Sequence, residues 1–223
     1  ITAEYNPFHK GHAYQIEKAR QAGATHILVV MSGNFVQRGV PAMMDKRVRV
    51  RAALSGGADL VVELPLPFAT ASAETFAYGA LSLMQAAGCV DMVSFGAEDG
   101  QEKLQKVLAV LLSEQFEPVF RLRLAEGGSY AAARAQTVAE LAGEETAAVL
   151  TRPDNILGIE YLKAAHRLHF YPQWEAIPRR GVGHDQPGEE KGLMSASYVR
   201  QLLESGDWAS VRKELPEVCL PLY

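Results

Sequence analysis

The residues best suited to chemistry begin near the N-terminal end, where His9 and His12 stand three positions apart on either side of Gly11. Asn6-Pro7 precedes them and ends a strand, because proline cannot donate to a ladder and restricts the residue before it. The residues that follow predict a helix to about Ala22. Histidines at this spacing can point the same way, and free N–H groups at a helix start bind anions. The pattern predicts a site where imidazoles and N–H groups hydrogen-bond the phosphates of a nucleotide.

The two histidines also admit simpler interpretations, because His-x-Gly-His sequences arise by chance and such histidines can be ordinary surface residues. A zinc pair is disfavoured, since Cys89 lies far off in the sequence and no third ligand stands at a usual spacing. We therefore expect no metal-ligand set among the side chains. The position after a strand and Asn-Pro-Phe favours the nucleotide.

A second phosphate-binding pattern lies near the other end, in residues 194–200. Ser195 and Ser197 stand at a predicted helix start, and Arg200 follows within the first turns. Hydroxyls, N–H groups and a guanidinium there suit β- and γ-phosphates. Serine caps are common, so this pattern is weak alone. Joined with the first pattern, it predicts a catalytic set of His9, His12, Ser197 and Arg200.

Apolar runs rich in β-branched residues alternate with helical segments along most of the chain. The runs cover residues 1–5, 24–31, 58–63, 91–95 and 174–178. Continuous runs of this kind are typical of parallel strands covered on both faces. The alternation predicts an α/β fold with a doubly wound, Rossmann-like parallel sheet. Gly96 follows the fourth run, where a glycine can let an adenine or ribose lie against the backbone or can simply form a turn.

Residues 101–148 are helical throughout, which predicts a helical insertion at about residues 100–150 in one domain spanning 1–223. We also expect residues to precede Ile1, because it stands inside a predicted strand without an initiator Met. The last residues, 220–223, resemble a linker that continues beyond Tyr223.

Cationic and polar residues follow several of these runs. Gln37 and Arg38 could meet a carboxylate or a phosphate, or belong to an ordinary polar loop. A helix capped by Asp45 carries Lys46, Arg47, Arg49 and Arg51, which could contact RNA phosphates or form a solvated face. Arg179 and Arg180 precede a glycine-rich stretch and suit a triphosphate or an RNA backbone, because guanidinium binds phosphate bidentately.

Residues 4–12, 31–39, 58–65 and 155–162 together closely resemble the bacterial tRNA(Met) cytidine acetate ligase family. That family lies within the HIGH-type nucleotidyltransferase superfamily, whose signature His9-Lys10-Gly11-His12 resembles. Residues 194–200 are similar to the second superfamily signature, although Ala196 replaces a serine and Ser197 a threonine. The resemblance covers essentially the whole chain.

The resemblance implies a catalytic domain that activates acetate with ATP and acetylates the wobble cytidine of elongator tRNA(Met). It also implies a longer protein with a further C-terminal domain, and an ATP contact at Asn155. We expect Mg²⁺ as well, because it usually binds through triphosphate oxygens with few protein ligands. The expected ATP-binding residues are Thr2, Ala3, Glu4, Tyr5, Asn6, Pro7, Phe8, His9, Gly11, His12, Gly96, Asn155, Arg179, Arg180, Ser195 and Ser197. Candidates for acetate or RNA are Gln37, Arg38, Lys46, Arg47 and Arg51.

Composition sets outer limits on these expectations. The chain has 223 residues, 48% hydrophobic content and a formal net charge of −4, which allows a substantial core and argues against bulk nucleic-acid binding. No apolar run approaches the roughly 20 residues of a membrane span, and no secretory signal is present. Cys89 and Cys219 are expected to be reduced core residues of a cytoplasmic protein.

Two other functions remain open at this point. A small-molecule adenylyltransferase would use the same phosphate patterns but would keep AMP in its product. A non-catalytic nucleotide sensor would bind ATP without turnover. Cationic residues for RNA favour the ligase over the adenylyltransferase, and so complete a set of phosphate-binding residues gives little reason to expect a sensor.

Overall fold

Among the residues that the structure describes, five strands form two short parallel sheets. The computed structural model describes residues 1–178 and 194–223. The strands are β1 (Thr2–Ala3), β2 (Leu28–Ser32), β3 (Leu60–Leu64), β4 (Met92–Ala97) and β5 (Gln173–Pro178). One sheet has the order β1-β2-β3 and the other pairs β4 with β5, and every pairing is parallel. The α/β fold with parallel strands is confirmed.

Helices connect the strands and cover them. They are α1 (Lys10–Gln21), α2 (Lys46–Ser55), α3 (Leu66–Ala69), α4 (Ala73–Ala87), α5 (Gln101–Leu111), α6 (Phe116–Ala125), α7 (Tyr130–Ala142), α8 (Glu144–Ala148), α9 (Pro153–Leu168), α10 (Ala196–Ser205) and α11 (Trp208–Glu214). Capping residues determine where the helices begin and end. Ser72 caps α4 by accepting from the Thr75 N–H, and Gly88 ends the helix in the left-handed conformation. Asp45 caps α2 in the same way, as predicted.

The two sheets meet beside β1 and β4. The Gln15 amide of α1 donates to the Ser94 carbonyl of β4 at 3.2 Å. The Thr2 hydroxyl of β1 hydrogen-bonds the Tyr161 hydroxyl of α9. From β1 the chain continues through β2 to β3 in one sheet, whereas β4 and β5 form the other. In open α/β sheets, ligands bind at the carboxyl ends of the strands where the winding reverses.

Helices α5 to α8 occupy residues 101–148 beside this framework. Arg134 of α7 and Glu160 of α9 form a buried ion pair at 2.7 Å, which fixes this helical group against α9. The assignment of the group as an insertion within a single catalytic domain stays a prediction.

Three local predictions were wrong. β1 ends at Ala3 rather than Tyr5, whose φ of 48° is incompatible with an extended strand. The C-terminal residues are packed rather than an open linker, because Glu217–Leu222 is a 3-10 helix and the Tyr223 hydroxyl accepts from the Phe8 N–H at 3.2 Å. The expected continuation beyond Tyr223 stays a prediction. Cys219 is buried as expected, but Cys89 is exposed.

Within the part of the chain that the structure describes, no helix is both long enough and apolar enough to cross a membrane.

Candidate functional site

The two histidines form a closed hydrogen-bonded unit at the start of α1. His9 is the N-cap, and its Nδ1 accepts from the Gly11 N–H at 3.0 Å. The His9 N–H in turn donates to Nδ1 of His12 at 3.3 Å, so the two side chains make a capping box. Their ring centroids are 3.8 Å apart. The two histidine rings therefore have two roles: they cap the start of α1, and they line a pocket.

These hydrogen bonds determine which ring nitrogen can meet a ligand. Because Nδ1 of each ring is an acceptor, a neutral imidazole at His9 or His12 must carry its proton on Nε2. Each histidine can therefore donate from Nε2 while its Nδ1 stays in the cap. Donors of this kind suit phosphate oxygens.

The second pattern meets the first across nearly the whole length of the chain. Ser195 caps α10 by accepting from the Tyr198 N–H at 3.2 Å. Arg200 donates to the Ser197 hydroxyl at 3.0 Å and to the Asn6 carbonyl at 2.7 Å. The guanidinium therefore ties the start of α10 to the turn before His9. The catalytic set predicted from sequence is brought together, although its chemical role stays a prediction.

A pocket of about 200 Å³ lies where β1, β4 and the starts of α1 and α10 converge. The predicted ATP-binding residues that line it are Thr2, Ala3, His9, Gly11, His12, Gly96 and Ser195. Arg179 and Arg180 lie outside the described residues. The pocket thus joins both phosphate patterns to the crevice between the sheets.

Gly96 leaves room in this pocket. A Cβ placed on Gly96 would find no other heavy atom within 4 Å, so it would project into open space. Since Gly96 also lines the pocket, that space is available to a ligand.

Sequence reasoning missed the face of α9 that forms one wall. Asp154, Leu157 and Tyr161 line the pocket at helical spacing, and the sequence periodicity could have found them. Tyr161 is 2% exposed, and burial raises the pKa of its hydroxyl, which therefore stays protonated when it pairs with Thr2. Tyr14, Gln15 and Phe95 were missed as well.

Asn155 does not line the pocket. Its side chain is fully buried, and its Oδ1 accepts from the Glu98 and Asp99 N–H groups, each at 3.0 Å. Its Nδ2 donates to the Asp99 carboxylate at 2.8 Å and to the Val149 carbonyl at 3.2 Å. In this structure, Asn155 holds the loop that follows Gly96. The ATP contact implied by resemblance stays a prediction.

Several other residues of the predicted ATP stretch do not line the pocket. Tyr5 and Phe8 are buried in a core cluster, and burial raises the pKa of the Tyr5 hydroxyl. Pro7 follows Asn6 through a cis peptide bond. Glu4 and Asn6 use their side-chain oxygens to accept from backbone N–H groups of residues 37 and 43. Residues 4–8 therefore fix the conformation of the turn, whereas residues on either side of them line the pocket.

Arg49 is not a surface cation. Its guanidinium is completely buried and donates to the carbonyls of Glu4, Ser32, Gly33 and Met44. Burial lowers its pKa. Both alternatives considered for Arg49, contact with RNA and a solvated helix face, are therefore wrong, because this side chain joins the ends of β1 and β2 instead.

The other candidates for acetate or RNA differ in availability. Lys46 pairs with Glu63 at 2.6 Å. Arg47 and Arg51 are exposed on α2, one turn apart. Gln37 is half-buried and donates its N–H to Glu4 at 3.0 Å. The backbone of Arg38 lies in the short 3-10 helix Gln37–Gly39, and its side chain is outside what the structure describes.

The split parallel sheet and the two phosphate patterns at its crevice define a nucleotide-binding protein of the nucleotidyltransferase type. Comparison with known proteins agrees: the chain belongs to the HIGH Nucleotidyl Transferase family, and the sequence model of that family matches residues 1–223.

Several relatives carry one name. The tRNA(Met) cytidine acetate ligase of Caldanaerobacter subterraneus subsp. tengcongensis is 38% identical over 227 residues, covering 100% of this chain and 57% of the relative. That of Syntrophotalea carbinolica is 44% identical over 213 residues, covering 93% and 51%. The chain therefore spans about half the length of the curated relatives it matches.

Solved structures show the same likeness. Thermotoga maritima TmcAL bound with alpha-thio ATP is similar with a TM-score of 0.89 and 36% identity, covering 99% of this chain and 53% of that one. The apo form has a TM-score of 0.93 and 35% identity, covering 99% and 54%.

Proposed function

We propose that this chain is the ATP-using part of a ligase that acetylates a cytidine of tRNA(Met). The observation that carries the proposal is the meeting of His9, His12 and Ser195 at one pocket, with Arg200 bound to the Asn6 carbonyl in the turn before His9. The relatives of this fold bear the name of that ligase. The ATP analogue in the similar Thermotoga maritima structure supports ATP as the nucleotide.

The pocket offers distinct surfaces to the parts of ATP. The adenosine would lie against Gly96, Leu157 and Tyr161, where the backbone is open and the wall is largely apolar. The phosphates would meet the Nε2–H groups of His9 and His12 and the start of α10. Arg200 would supply charge next to the same turn. Donors fixed in place by a capping box need no rearrangement when negative charge develops on phosphate.

The reaction needs no side-chain nucleophile. An acetate oxygen would attack the α-phosphorus, the bond to the bridging oxygen would break, and pyrophosphate would leave with that oxygen. The N4 amine of the wobble cytidine would then attack the acyl carbon of acetyl-adenylate, lose a proton and release AMP. Catalysis would consist of alignment and stabilisation of charge. N4-acetylcytidine in elongator tRNA(Met) would be the product.

Magnesium would accompany the triphosphate. Among residues 1–178 and 194–223, no three His, Cys, Asp or Glu side chains form a group that could hold a metal ion by themselves. The Asp154 carboxylate does line the pocket and offers oxygen, which Mg²⁺ prefers. Mg²⁺ bound mainly through phosphate oxygens would neutralise part of their charge.

Acetate and RNA would approach from the side of β2 and α2. Gln37, Arg47 and Arg51 are the described candidates that remain, with Arg38, Arg179 and Arg180 carried over from the sequence. Lys46 would first have to leave Glu63.

The test measures AMP and pyrophosphate release from ATP plus acetate, with and without bacterial tRNA, and then assays the recovered tRNA for acetylcytidine. His12→Ala and Arg200→Ala should each lower acetate-dependent pyrophosphate release by about 100-fold, the range of a lost transition-state donor. His26→Ala changes an exposed histidine outside the pocket and should have no effect.

The outcomes separate the candidate functions. Acetate-dependent AMP release with acetylated tRNA supports the ligase. ATP binding without acetate dependence would contradict it, and AMP retained in a product would then indicate an adenylyltransferase. AMP release without modified tRNA would support activation of acetate and contradict RNA modification by this chain.

A further inference from the structure

The segment between β2 and α2 is an ordered hairpin rather than a loose connection. Residues 34–43, here called the 34–43 hairpin, contain an antiparallel bridge between Phe35 and Pro41. The Val36 N–H donates to the Val40 carbonyl at 2.9 Å, and the Ala42 N–H donates to the Asn34 carbonyl at 2.9 Å. These bonds hold the backbone in one arrangement.

The hairpin is fastened to the turn that forms the nucleotide site. Glu4 accepts from the Gln37 N–H at 3.0 Å, and Asn6 accepts from the Met43 N–H at 2.9 Å. Both acceptors lie between β1 and His9, and the Asn6 carbonyl also receives the Arg200 guanidinium. The hairpin is therefore placed relative to the pocket by side chains of the same turn.

The hairpin exposes apolar side chains while its backbone is held. Val36 is 5% exposed and anchors it in the core, whereas Phe35 is 43% exposed, Val40 54% and Met43 36%. A connection that served only to join β2 to α2 would not need these residues, because an apolar side chain left exposed to water does not contribute the free energy that its burial would. A rigid backbone with exposed aromatic and aliphatic groups is suited to contact with a partner.

Two exposed cations stand on α2, the helix that follows the hairpin. The Asn34 side chain accepts from the Lys46 N–H at 3.1 Å, which brings the start of α2 against the residue before Phe35. Arg47 and Arg51 project from the exposed face of α2. Neither takes part in any ion pair between described residues, whereas Lys46 pairs with Glu63. The cations are thus available to phosphate groups.

We infer that the 34–43 hairpin and the first turns of α2 dock single-stranded RNA, with an unpaired base stacked on Phe35 and backbone phosphates bound by Arg47 and Arg51. The inference rests on the proposed function and adds the location and chemistry of RNA contact. An aromatic platform beside guanidinium groups is the combination that single-stranded nucleic acids use. The attachment to Glu4 and Asn6 would bring a base held there to the mouth of the nucleotide site.

The test compares RNA affinity with nucleotide chemistry in the same variants. The probe is a fluorescently labelled tRNA(Met) anticodon stem-loop with unmodified cytidine. Phe35→Ala should weaken its binding about tenfold, the usual effect of removing a stacking partner. Phe35→Trp should keep the affinity, because a larger aromatic face remains. Arg47→Ala should reduce the slope of log affinity against log salt by about one phosphate contact.

Matched controls lie on α6, away from the hairpin. Leu122 is 67% exposed, so Leu122→Ala removes an apolar side chain of the same surface type. Arg121→Ala removes an exposed guanidinium, which here pairs with Glu117. Neither control should change RNA affinity.

The outcomes separate this inference from the proposed function. Acetate-dependent pyrophosphate exchange without RNA should be unchanged in Phe35→Ala. If wild type acetylates tRNA and Phe35→Ala does so with equal affinity and rate, the docking inference is wrong while the ligase stands. If Phe35→Ala loses exchange as well, the hairpin serves the nucleotide site instead. If the variant alters only self-association in sedimentation, the surface is a protein contact and the docking inference is wrong. A wild type that binds no RNA also overturns the docking inference, whereas loss of acetate-dependent pyrophosphate exchange in wild type is what would overturn the use of ATP.

Discussion

Adding one methyl group at Gly96 would test whether a nucleotide lies against the end of β4. The Cβ of Gly96→Ala would meet no protein atom within 4 Å, so the fold should accept it. The position has no positive φ, and alanine restricts the unfolded chain, so stability should be unchanged or higher by up to about 1 kcal/mol. The methyl group would nevertheless occupy space in a pocket of about 200 Å³.

The expected cost to binding follows from close packing. A methyl group forced into a well-packed contact costs about 1–3 kcal/mol, which corresponds to a roughly 5- to 150-fold weaker Kd for ATP. The assay is calorimetric titration with ATP in the absence of acetate and RNA, with urea unfolding of the same preparations. A loss of affinity without a loss of stability is the expected combination.

Gly100→Ala is the matched control for this change. Its Cβ also meets nothing within 4 Å, but Gly100 caps α5 and is not part of the pocket lining. It should bind ATP as wild type does, with at most about 1 kcal/mol of stability lost at the cap. If Gly96→Ala binds ATP as tightly as Gly100→Ala does, the nucleotide does not pack against Gly96 and the placement of adenosine is refuted.

Asn155→Ala should destabilise the fold by about 3 kcal/mol or more in urea unfolding, because it leaves buried N–H and carbonyl groups without partners. A variant that keeps its stability and loses only ATP binding would show a direct ligand role instead. Arg200→Lys should lower acetate-dependent pyrophosphate exchange about 10- to 100-fold without unfolding the protein, because lysine cannot bridge Asn6 and Ser197 at once. Arg212→Lys changes an exposed arginine and is the control. Equal activity of the two variants would contradict the prediction. Asp59 accepts from the Ile27 N–H, which holds its pKa below the ordinary 3.8, so its stabilisation is present above that value and disappears as the pH falls through the lower folded pKa. The urea midpoint of Asp59→Asn should thus lie below wild type at pH 7 and approach it only as the pH falls below 3.8, whereas a constant difference would exclude this linkage.

Much of the secondary structure could be predicted because its causes are local. The buried run Leu28–Ser32 and the helix Ala73–Ala87 follow from apolar pattern and from Ser72 and Gly88 at the helix ends. The caps Asp45 and Ser195 were equally visible. Side-chain chemistry and spacing within a few residues determine such features.

The role of Arg49 could not be predicted from its neighbours. In the sequence it belongs to a run of cations on α2, which resembles a solvated face. In the fold its guanidinium is stabilised by hydrogen bonds to carbonyl groups at the ends of β1 and β2 and at Met44. Because most of these acceptors come from distant segments, burial of the charge depends on how strands and helix assemble.

Asn155 and the wall of α9 show the same limit. The resemblance indicated that Asn155 matters, but only the packed structure shows its side chain on the loop after Gly96. The helix turns Asp154, Leu157 and Tyr161 toward the pocket instead. A helical pattern predicts which residues share a face, but it does not say what that face contacts.

The sequence by itself determined the alternating α/β order, the helix caps and the two phosphate patterns, because each depends on residues close together in the chain. Tertiary structure alone decided that Arg200 reaches the carbonyl of Asn6, that Arg49 is buried, and that the 34–43 hairpin is held against the turn before His9. Those contacts join residues separated by up to 194 positions. They exist only once the strands have paired and the sheets have met, because packing brings the partners within hydrogen-bonding distance.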